Sequence, residues 1–437
     1  MRDGARITAA VGVLADIDER HKPVRMALKH WGEGARYAGA KDRAFVSGLV
    51  LDVLRRRRSL AWRMGEESHR ALALAALRLC WDWPIERIAE AAAEAPHGPG
   101  ALSEVETAVL AQPRPLDEAP AAVRGDYPDW LDAPLARAFG EARVGETAAL
   151  AQRAPVDLRV NTLKTDAARA LKAVQGLGLA PAGLLVNTLR APAPAAAERA
   201  AAVEAAPEFA KGWFEVQDLG SQIAAAAAGE IKGRQVLDLC AGGGGKTLAL
   251  AAAMGNSGQL YAYDAEARRL SDTVTRSQRA GVRNLQVRSP LRADALAELE
   301  GRMDLVFADA PCTGSGTWRR HPDAKWRLTA AQLERRMAEQ DAVLAEAVRY
   351  VKPGGRLVYV TCSLLKEENE DRVAALLAAE PSFAVVPAVQ AIAASHQLDP
   401  AGQAALAQWA TPEGFLRLTP RSAGTDGFFV AVLERGS

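Results

Sequence analysis

The sequence predicts an α/β fold: a mostly parallel, Rossmann-like sheet in the C-terminal half, preceded by an all-helical domain and a small α/β unit. Three observations carry this expectation. From Ile7 to about Leu150 apolar residues recur at three and four spacing, as in Ala44, Leu49, Leu51 and Leu54, without strand-like alternation. From Asp218 onward short β-rich runs alternate with helical stretches, the pattern of strands joined by crossover helices. Several of those runs end in a glycine-rich or polar turn, where open α/β sheets bind ligands. At 437 residues and roughly 150 residues per domain, about three units are expected.

The first unit is placed at 1–142. Its run Arg55 to Arg58 reads as a solvated helix end, with phosphate contact as the alternative. Trp81, Trp83 and Trp130 read as packing anchors. The second unit, 143–216, holds a strand at 158–161, a helix at 166–177 and a strand at 214–216. The Ala- and Pro-rich stretch 191–207 reads as a loop or frayed helix on that unit. The third, 217–437, takes strands at 235–240, 259–264, 284–287, 303–309 and 356–362. Stretches 416–418 and 427–433 are expected to add an antiparallel hairpin at one edge of its sheet.

Lys plus Arg at 54 against Asp plus Glu at 53 leaves a formal charge of +1, so nucleic-acid binding would need local clusters rather than a basic surface. Cys80, Cys240, Cys312 and Cys362 lack paired metal-ligand spacing, which fits a reducing compartment and argues against a disulfide framework or a metal site. No stretch is apolar enough to span a bilayer. A soluble, cytoplasmic, monomeric protein is expected.

The chemistry gathers at strand ends. Asp238-Leu239-Cys240-Ala241-Gly242-Gly243-Gly244-Gly245-Lys246-Thr247 is a glycine-rich turn between a buried strand and a helix, and Asp264 ends the next strand. That pair would hold the ribose and backbone of a nicotinamide or an S-adenosyl cofactor alike. The turn also falls one glycine short of a P-loop, since Cys240 stands where the first glycine belongs. Asp309-Ala310-Pro311-Cys312 and Thr361-Cys362-Ser363 end the fourth and fifth strands, expected to be neighbours, so both thiols would face one crevice. Carbon 5 of cytosine is a poor nucleophile; a thiolate adding to carbon 6 makes it an enamine that can take a methyl group from a sulfonium. Thiols are mostly protonated at neutral pH, so Lys246, Arg319 or Arg320 would favour the thiolate. Asp309 could hydrogen-bond the base at N3 or N4 as charge develops on the ring. The segment Trp318 to Arg327 could grip a nucleic-acid backbone, or serve as a loop packing its two tryptophans.

These residues carry a resemblance to the RsmB/Sun/Fmu (NOP2-type) RNA cytosine-5 methyltransferases. The matching stretches are Arg159-Val160-Asn161, Val216-Gln217-Asp218 with Ser221-Gln222, Asp238 to Thr247, Asp309 to Gly314, Arg319 to Asp323 with Lys325-Trp326, Thr361-Cys362-Ser363 with Glu368-Asn369-Glu370, and Asp426 to Phe429. The resemblance implies a class I methyltransferase domain with S-adenosyl-L-methionine as cofactor and RNA as partner. Cys240, Ala241, Gly242, Gly243, Gly244, Gly245 and Lys246 would line the cofactor and Asp264 hold its ribose. Asp309 would lie between cofactor and base, Cys362 would attack, and Cys312 would help release product. Asp42-Arg43-Ala44 and Leu54-Arg55 liken the helical part to the NusB-like RNA-binding domain of the RsmB branch, which implies small-subunit (16S) ribosomal RNA as substrate, and the middle unit to a ferredoxin- or RRM-like subdomain. Two departures stand out. The family's usual Ala-Pro in the turn is Gly242-Gly243 here, and its acidic residue near the adenine is replaced by Val287-Arg288-Ser289-Pro290-Leu291, with Asp294 only later.

Two other readings compete. DNA cytosine-5 methyltransferases use the Pro-Cys thiol as nucleophile and need no second thiol, so the cysteine pair favours RNA. A non-catalytic ribosome-assembly factor would have no use for both cysteines, Asp309 and Lys246.

Overall fold

A computed structural model describes residues 1–198, 200–292 and 294–437. The chain forms two compact units. One joins residues 1–153, 193–200 and 317–328; the other takes the remainder. The first therefore runs past 142 and gathers two later stretches that sequence pattern placed elsewhere.

The helical unit is built on amphipathic helices. In Asp3–Arg20 the residues Ile7, Ala10, Val13, Leu14 and Ile17 fall on one buried face. They pack on Phe45, Val46, Leu49, Val50 and Val53 of the Ala40–Arg55 helix. Phe45 meets Trp81 and Trp83 edge-on at 4.8 and 5.8 Å between ring centroids, so both tryptophans are anchors; Trp130 is half-buried.

The run Arg55 to Arg58 is neither a solvated helix end nor a free phosphate contact. Arg55 is buried, pairs with Asp52 at 2.8 Å and donates two hydrogen bonds to the Arg319 carbonyl. Arg56 bonds Gln152, Arg57 pairs with Asp18 and Glu67, and Arg58 with Asp129. The stretch 317–328 supplies the rest of this polar core. Lys325 Nζ donates to the Arg55 carbonyl at 2.7 Å, Trp326 Nε1 to the Leu54 carbonyl at 2.6 Å, and Asp323 accepts the Val24 N–H at 3.2 Å. Trp318, Arg319 and Lys325 are all buried, so the packing role of this loop prevails. Burial pushes the Lys325 ammonium down to about 8 against the opposing pull of Asp126.

In the other unit, strands β1 (Val156–Val160), β2 (Ala180–Pro181), β3 (Thr188–Ala191) and β4 (Phe214–Val216) form an antiparallel sheet ordered β2-β3-β1-β4. Asp157 of β1 is buried, gripped by Arg190 at 2.6 and 2.9 Å and by the Leu219 N–H. Residues 143–150, which sequence pattern placed in this unit, lie in a helix of the first.

The second sheet has eight strands: β5 (Gln235–Asp238), β6 (Gln259–Tyr263), β7 (Leu285–Arg288), β8 (Met303–Asp309), β9 (Val351–Thr361), β10 (Phe383–Val386), β11 (Leu416–Leu418) and β12 (Phe428–Arg435). Its order is β10-β12-β9-β8-β5-β6-β7, with β11 beside β12. β5 to β9 run parallel, and β12 is antiparallel to β9. The order reverses between β5 and β8, which opens a crevice at their carboxyl ends. The expected hairpin forms at one edge of the sheet, where β11 and then β10 pair along the outer side of β12; with β9 on its other side β12 is covered from both, and Phe428 to Leu433 are buried without interruption. Among the described residues no helix is long and apolar enough to cross a membrane.

Candidate active site

A cavity of about 760 Å³ opens at the carboxyl ends of β5, β6, β8 and β9. Its walls include Cys240, Gly242, Lys246, Asp264, Asp309 and both Cys312 and Cys362. The sheet topology brings these residues together, because Asp309 ends a parallel strand, Asp264 and Cys362 follow one directly, and Cys240, Gly242, Lys246 and Cys312 lie on the turns that leave the strand ends or at the head of the helix after them.

The turn after β5 is held from below. Gly242 donates its N–H to Asp264 Oδ2 at 2.9 Å, and Asp264 Oδ1 accepts from the Glu266 N–H at 2.8 Å. Gly242 has φ +52, in the left-handed region that glycine enters without strain, and a Cβ there would stand 3.9 Å from Asp264 Oδ2. The backbone of the turn is thus open toward the carboxylate. Gly244 does something else: at φ +83, a Cβ would meet Thr273 Oγ1 at 2.9 Å, so this glycine lets the neighbouring helix approach rather than facing the cavity with Gly242, Gly243 and Gly245. Asp238 is fully buried; Thr247 donates to one of its oxygens at 2.6 Å and the other has no partner. Burial pushes its carboxyl up to about 7, with Asp309 adding to the rise and the Thr247 bond opposing it. The Cys240 thiol is pushed up by burial and by Asp238, Asp309 and Asp264, which keeps it protonated and unsuited to be a nucleophile.

On the far side, Arg159 of β1 donates to Gln217 Oε1 at 2.7 Å, and Gln217 in turn to Ser221 Oγ at 3.1 Å, which fixes the Gln217 amide in the cavity wall. Burial brings Arg159 down to about 10, opposed by Glu215. Asp294 stands away from this wall, exposed beside Arg292, and contributes nothing to it.

The two thiols are in contact: Cys312 Sγ and Cys362 Sγ are 3.3 Å apart, at the ends of adjacent strands β8 and β9. The Cys312 thiol is pushed up by the Cys362 sulfur, by burial and by the charge of Glu368. Two thiols this close do not both ionise, so a thiolate at one sulfur leaves the other as its proton donor. The cation expected to assist is otherwise engaged, because Lys246 Nζ pairs with Asp309 Oδ2 at 2.6 Å. Arg319 and Arg320 belong to the other unit. Among the described residues no cluster of potential metal ligands occurs.

Sequence pattern gives no role to Glu368 or Gln340. Glu368 is buried beneath the thiols and accepts from Thr313, Ser363 and Gln340, the residues beside and behind each cysteine. The Glu-Asn-Glu that follows the second cysteine is the available signal. Nothing in the sequence marks Gln340, on a helix of ordinary amphipathic pattern.

A glycine turn and an acidic residue at the ends of adjacent parallel strands, below a cavity of a size that encloses a nucleoside-bearing ligand, fit either a nicotinamide or an S-adenosyl cofactor, and the family match makes this a class I S-adenosylmethionine-dependent methyltransferase. The open backbone at Gly242, the paired acceptors of Asp264 and the wall amide of Gln217 fit the amino-acid and ribose portions of that cofactor. Residues 228–434 match the family 16S rRNA methyltransferase RsmB/F, and the chain belongs to this family of ribosomal RNA methyltransferases. A probable ribosomal RNA small subunit methyltransferase B of Synechocystis sp. is 31% identical over 313 residues, covering 71% of this chain and 67% of the relative. Ribosomal RNA small subunit methyltransferase B of Citrobacter koseri is 32% identical over 257 residues, covering 58% of each chain. The matched region therefore spans little more than half of the latter. The solved structure of PH0851 shares the fold along the whole chain, with a TM-score of 0.72 at 23% identity and 99% of both chains covered.

Proposed function

We propose that this protein methylates carbon 5 of a cytosine in small-subunit ribosomal RNA, with Cys362 as covalent nucleophile. The observation that carries the reading is the 3.3 Å contact between two thiols in the wall of the cofactor cavity. A single cysteine suffices to hold a core; two in contact at a strand-end crevice serve a reaction that needs both a nucleophile and a proton carrier.

In this mechanism the Cys362 sulfur adds to C6 of the flipped or unstacked base, and the C5–C6 π electrons become available at C5. Asp309, held by Lys246, would bond N3 or N4 and support the charge gained by the ring. S-adenosylmethionine, when bound along Cys240 to Lys246 and Asp264, supplies an electrophilic methyl group. The C5 proton is then removed, the C6–S bond breaks, and the electron pair returns to Cys362 Sγ. Cys312 can take that proton once its own thiol has been deprotonated, and the Cys362 sulfur, burial and the charge of Glu368, which raise its pKa, make its thiolate the stronger base for it.

The helical unit is assigned RNA binding as a NusB-like domain, the middle sheet a ferredoxin-like supporting role, and the reaction a cytoplasmic, monomeric enzyme. With Arg55 to Arg58 consumed internally, the exposed cations Arg25, Arg36 and Lys41 and the exposed ring of Tyr37 are the better candidates for phosphate and base contact.

The test is methyl transfer from labelled S-adenosylmethionine to ribosomal RNA lacking the modification, read base by base for 5-methylcytosine. Label at one cytosine C5 supports the reading; label on another base or on ribose refutes it.

A further inference from the structure

The carboxylate of Glu368 is where the two thiol-bearing loops meet. Thr313, the residue after Cys312, gives it an N–H at 2.8 Å and a hydroxyl at 2.5 Å. Ser363, the residue after Cys362, gives it a hydroxyl. Gln340 bonds it at 3.0 Å and, with the same amide nitrogen, the carbonyl of Pro311 before Cys312 at 2.9 Å. The side chain is fully buried, yet none of these donors carries a charge. Such a carboxylate is costly to desolvate and persists because its oxygens are saturated by donors.

We propose that Glu368 is a positioning residue for the covalent chemistry: its carboxylate couples the loop after Cys312 to the loop after Cys362 and thereby sets the distance between the two sulfurs. No hydrogen bond joins it to either sulfur; its hold on their separation runs through the loops, beside the direct effect of its charge on the Cys312 thiol. Asn369, next in sequence, braces one side alone, through Thr361 Oγ1 at 2.5 Å and the Ser363 carbonyl at 2.9 Å. Its neighbour spans both. An amide at 368 would keep one oxygen for the Thr313 N–H and the Gln340 amide, but its NH₂ would force the Thr313 and Ser363 hydroxyls to turn from donors into acceptors, exchanging bonds to a charged acceptor for weaker neutral ones. The catalytic meaning of this clamp rests on the cysteine roles proposed above; its geometry does not.

The test uses phenylarsine oxide, which bridges two thiols only when both reach one arsenic atom. Two S–H protons and the oxide oxygen leave as water while two As–S bonds form. The wild-type chain should capture one arsenical, and Cys312→Ser none at the same concentration. Glu368→Gln should weaken capture by about tenfold or more, the effect of losing bonds to a charged acceptor. Its kcat for RNA methylation should fall by a similar factor, with the KM for S-adenosylmethionine unchanged. A merely structural role would lower the melting temperature but leave capture by the folded protein intact. That result, or wild-type kcat in folded Glu368→Gln, would overturn the proposal. Where Glu368→Gln does not fold, Thr313→Val removes one hydroxyl donor and keeps the N–H; undiminished arsenical capture there overturns the proposal equally. Because capture needs no RNA, failure of the cytosine reading would leave this result standing.

Discussion

Lys246 Nζ meets Asp309 Oδ2 at 2.6 Å and sits 5.1 Å from the centre of the Phe428 ring, so the cation at the head of the Gly245–Met254 helix neutralises the acid after β8 rather than a thiol. The expected effect of removing it is therefore specific. Lys246→Met should lower kcat/KM for methylation by about 10- to 100-fold, the worth of a charge-assisted hydrogen bond. The rate at which iodoacetamide alkylates Cys362 should not change. A parallel fall in alkylation would return Lys246 to the thiolate-stabilising role that sequence pattern suggests for it.

The cysteines should give opposite phenotypes. Cys362→Ala cannot form the C6–S bond and should bind cofactor and RNA without methylating. Cys312→Ala should add and methylate once but release slowly, accumulating as a protein–RNA adduct that survives denaturing electrophoresis. An adduct in Cys362→Ala instead would assign attack to Cys312, and normal turnover in both would end the covalent mechanism.

Asp264 holds the Gly242 and Glu266 amides, and in the proposed cofactor site its remaining lone pairs would take a ribose. Asp264→Ala should weaken S-adenosylmethionine binding by about 1 to 3 kcal/mol by calorimetry. Tight binding of NADH or ATP by the wild-type chain would contradict the cofactor assignment.

Asp238 makes stability depend on pH. Its carboxyl titrates at about 7 in the fold, mainly through burial, against an ordinary value of 3.8. Between those values the folded chain holds the extra proton, so Asp238 lowers stability as pH rises from about 4 to about 7. Asp238→Asn keeps an acceptor for Thr247 and removes that dependence. In urea unfolding, the variant should gain on the wild type between pH 5 and pH 8 by roughly 1 kcal/mol or more. Parallel stability curves would show that Asp238 does not titrate in this range.

The two basic regions of the helical unit should separate cleanly. Arg55→Ala breaks a buried ion pair and should cost about 3 to 5 kcal/mol in unfolding free energy. Replacing Arg25, Arg36 and Lys41 together should leave stability nearly intact. It should also flatten the salt dependence of RNA binding by roughly 0.7 in slope for each phosphate that is no longer neutralised. An unchanged slope would remove these three residues from the RNA path.

Much of this was legible because strand ends announce themselves. Strands β4, β8 and β11 begin and end where the β-rich runs do, and the glycine turn, Asp264, Asp309 and both cysteines follow from alternation and topology alone. What stayed hidden depends on partners remote in sequence. β10 is a four-residue run with no pattern of its own, so its pairing with the end of β12 could not be read. Arg55 and Lys325 look like solvent-facing charges until the carbonyls of Arg319 and Arg55 are brought to them. Glu368 likewise declares its role only when Thr313, Gln340 and Ser363 converge on it.

The return of residues 317–328 to the helical unit bears on the order in which the protein is made. Val24 bonds Asp323 across 299 positions, and Leu54 and Arg55 wait nearly as long for Trp326 and Lys325. During synthesis the first helices emerge with these groups open to water, and they close only once the chain has been elongated past Leu328. The helical unit is thus completed only after strands β1 to β8 of the other have been synthesised, a long-range closure of the kind that slows folding.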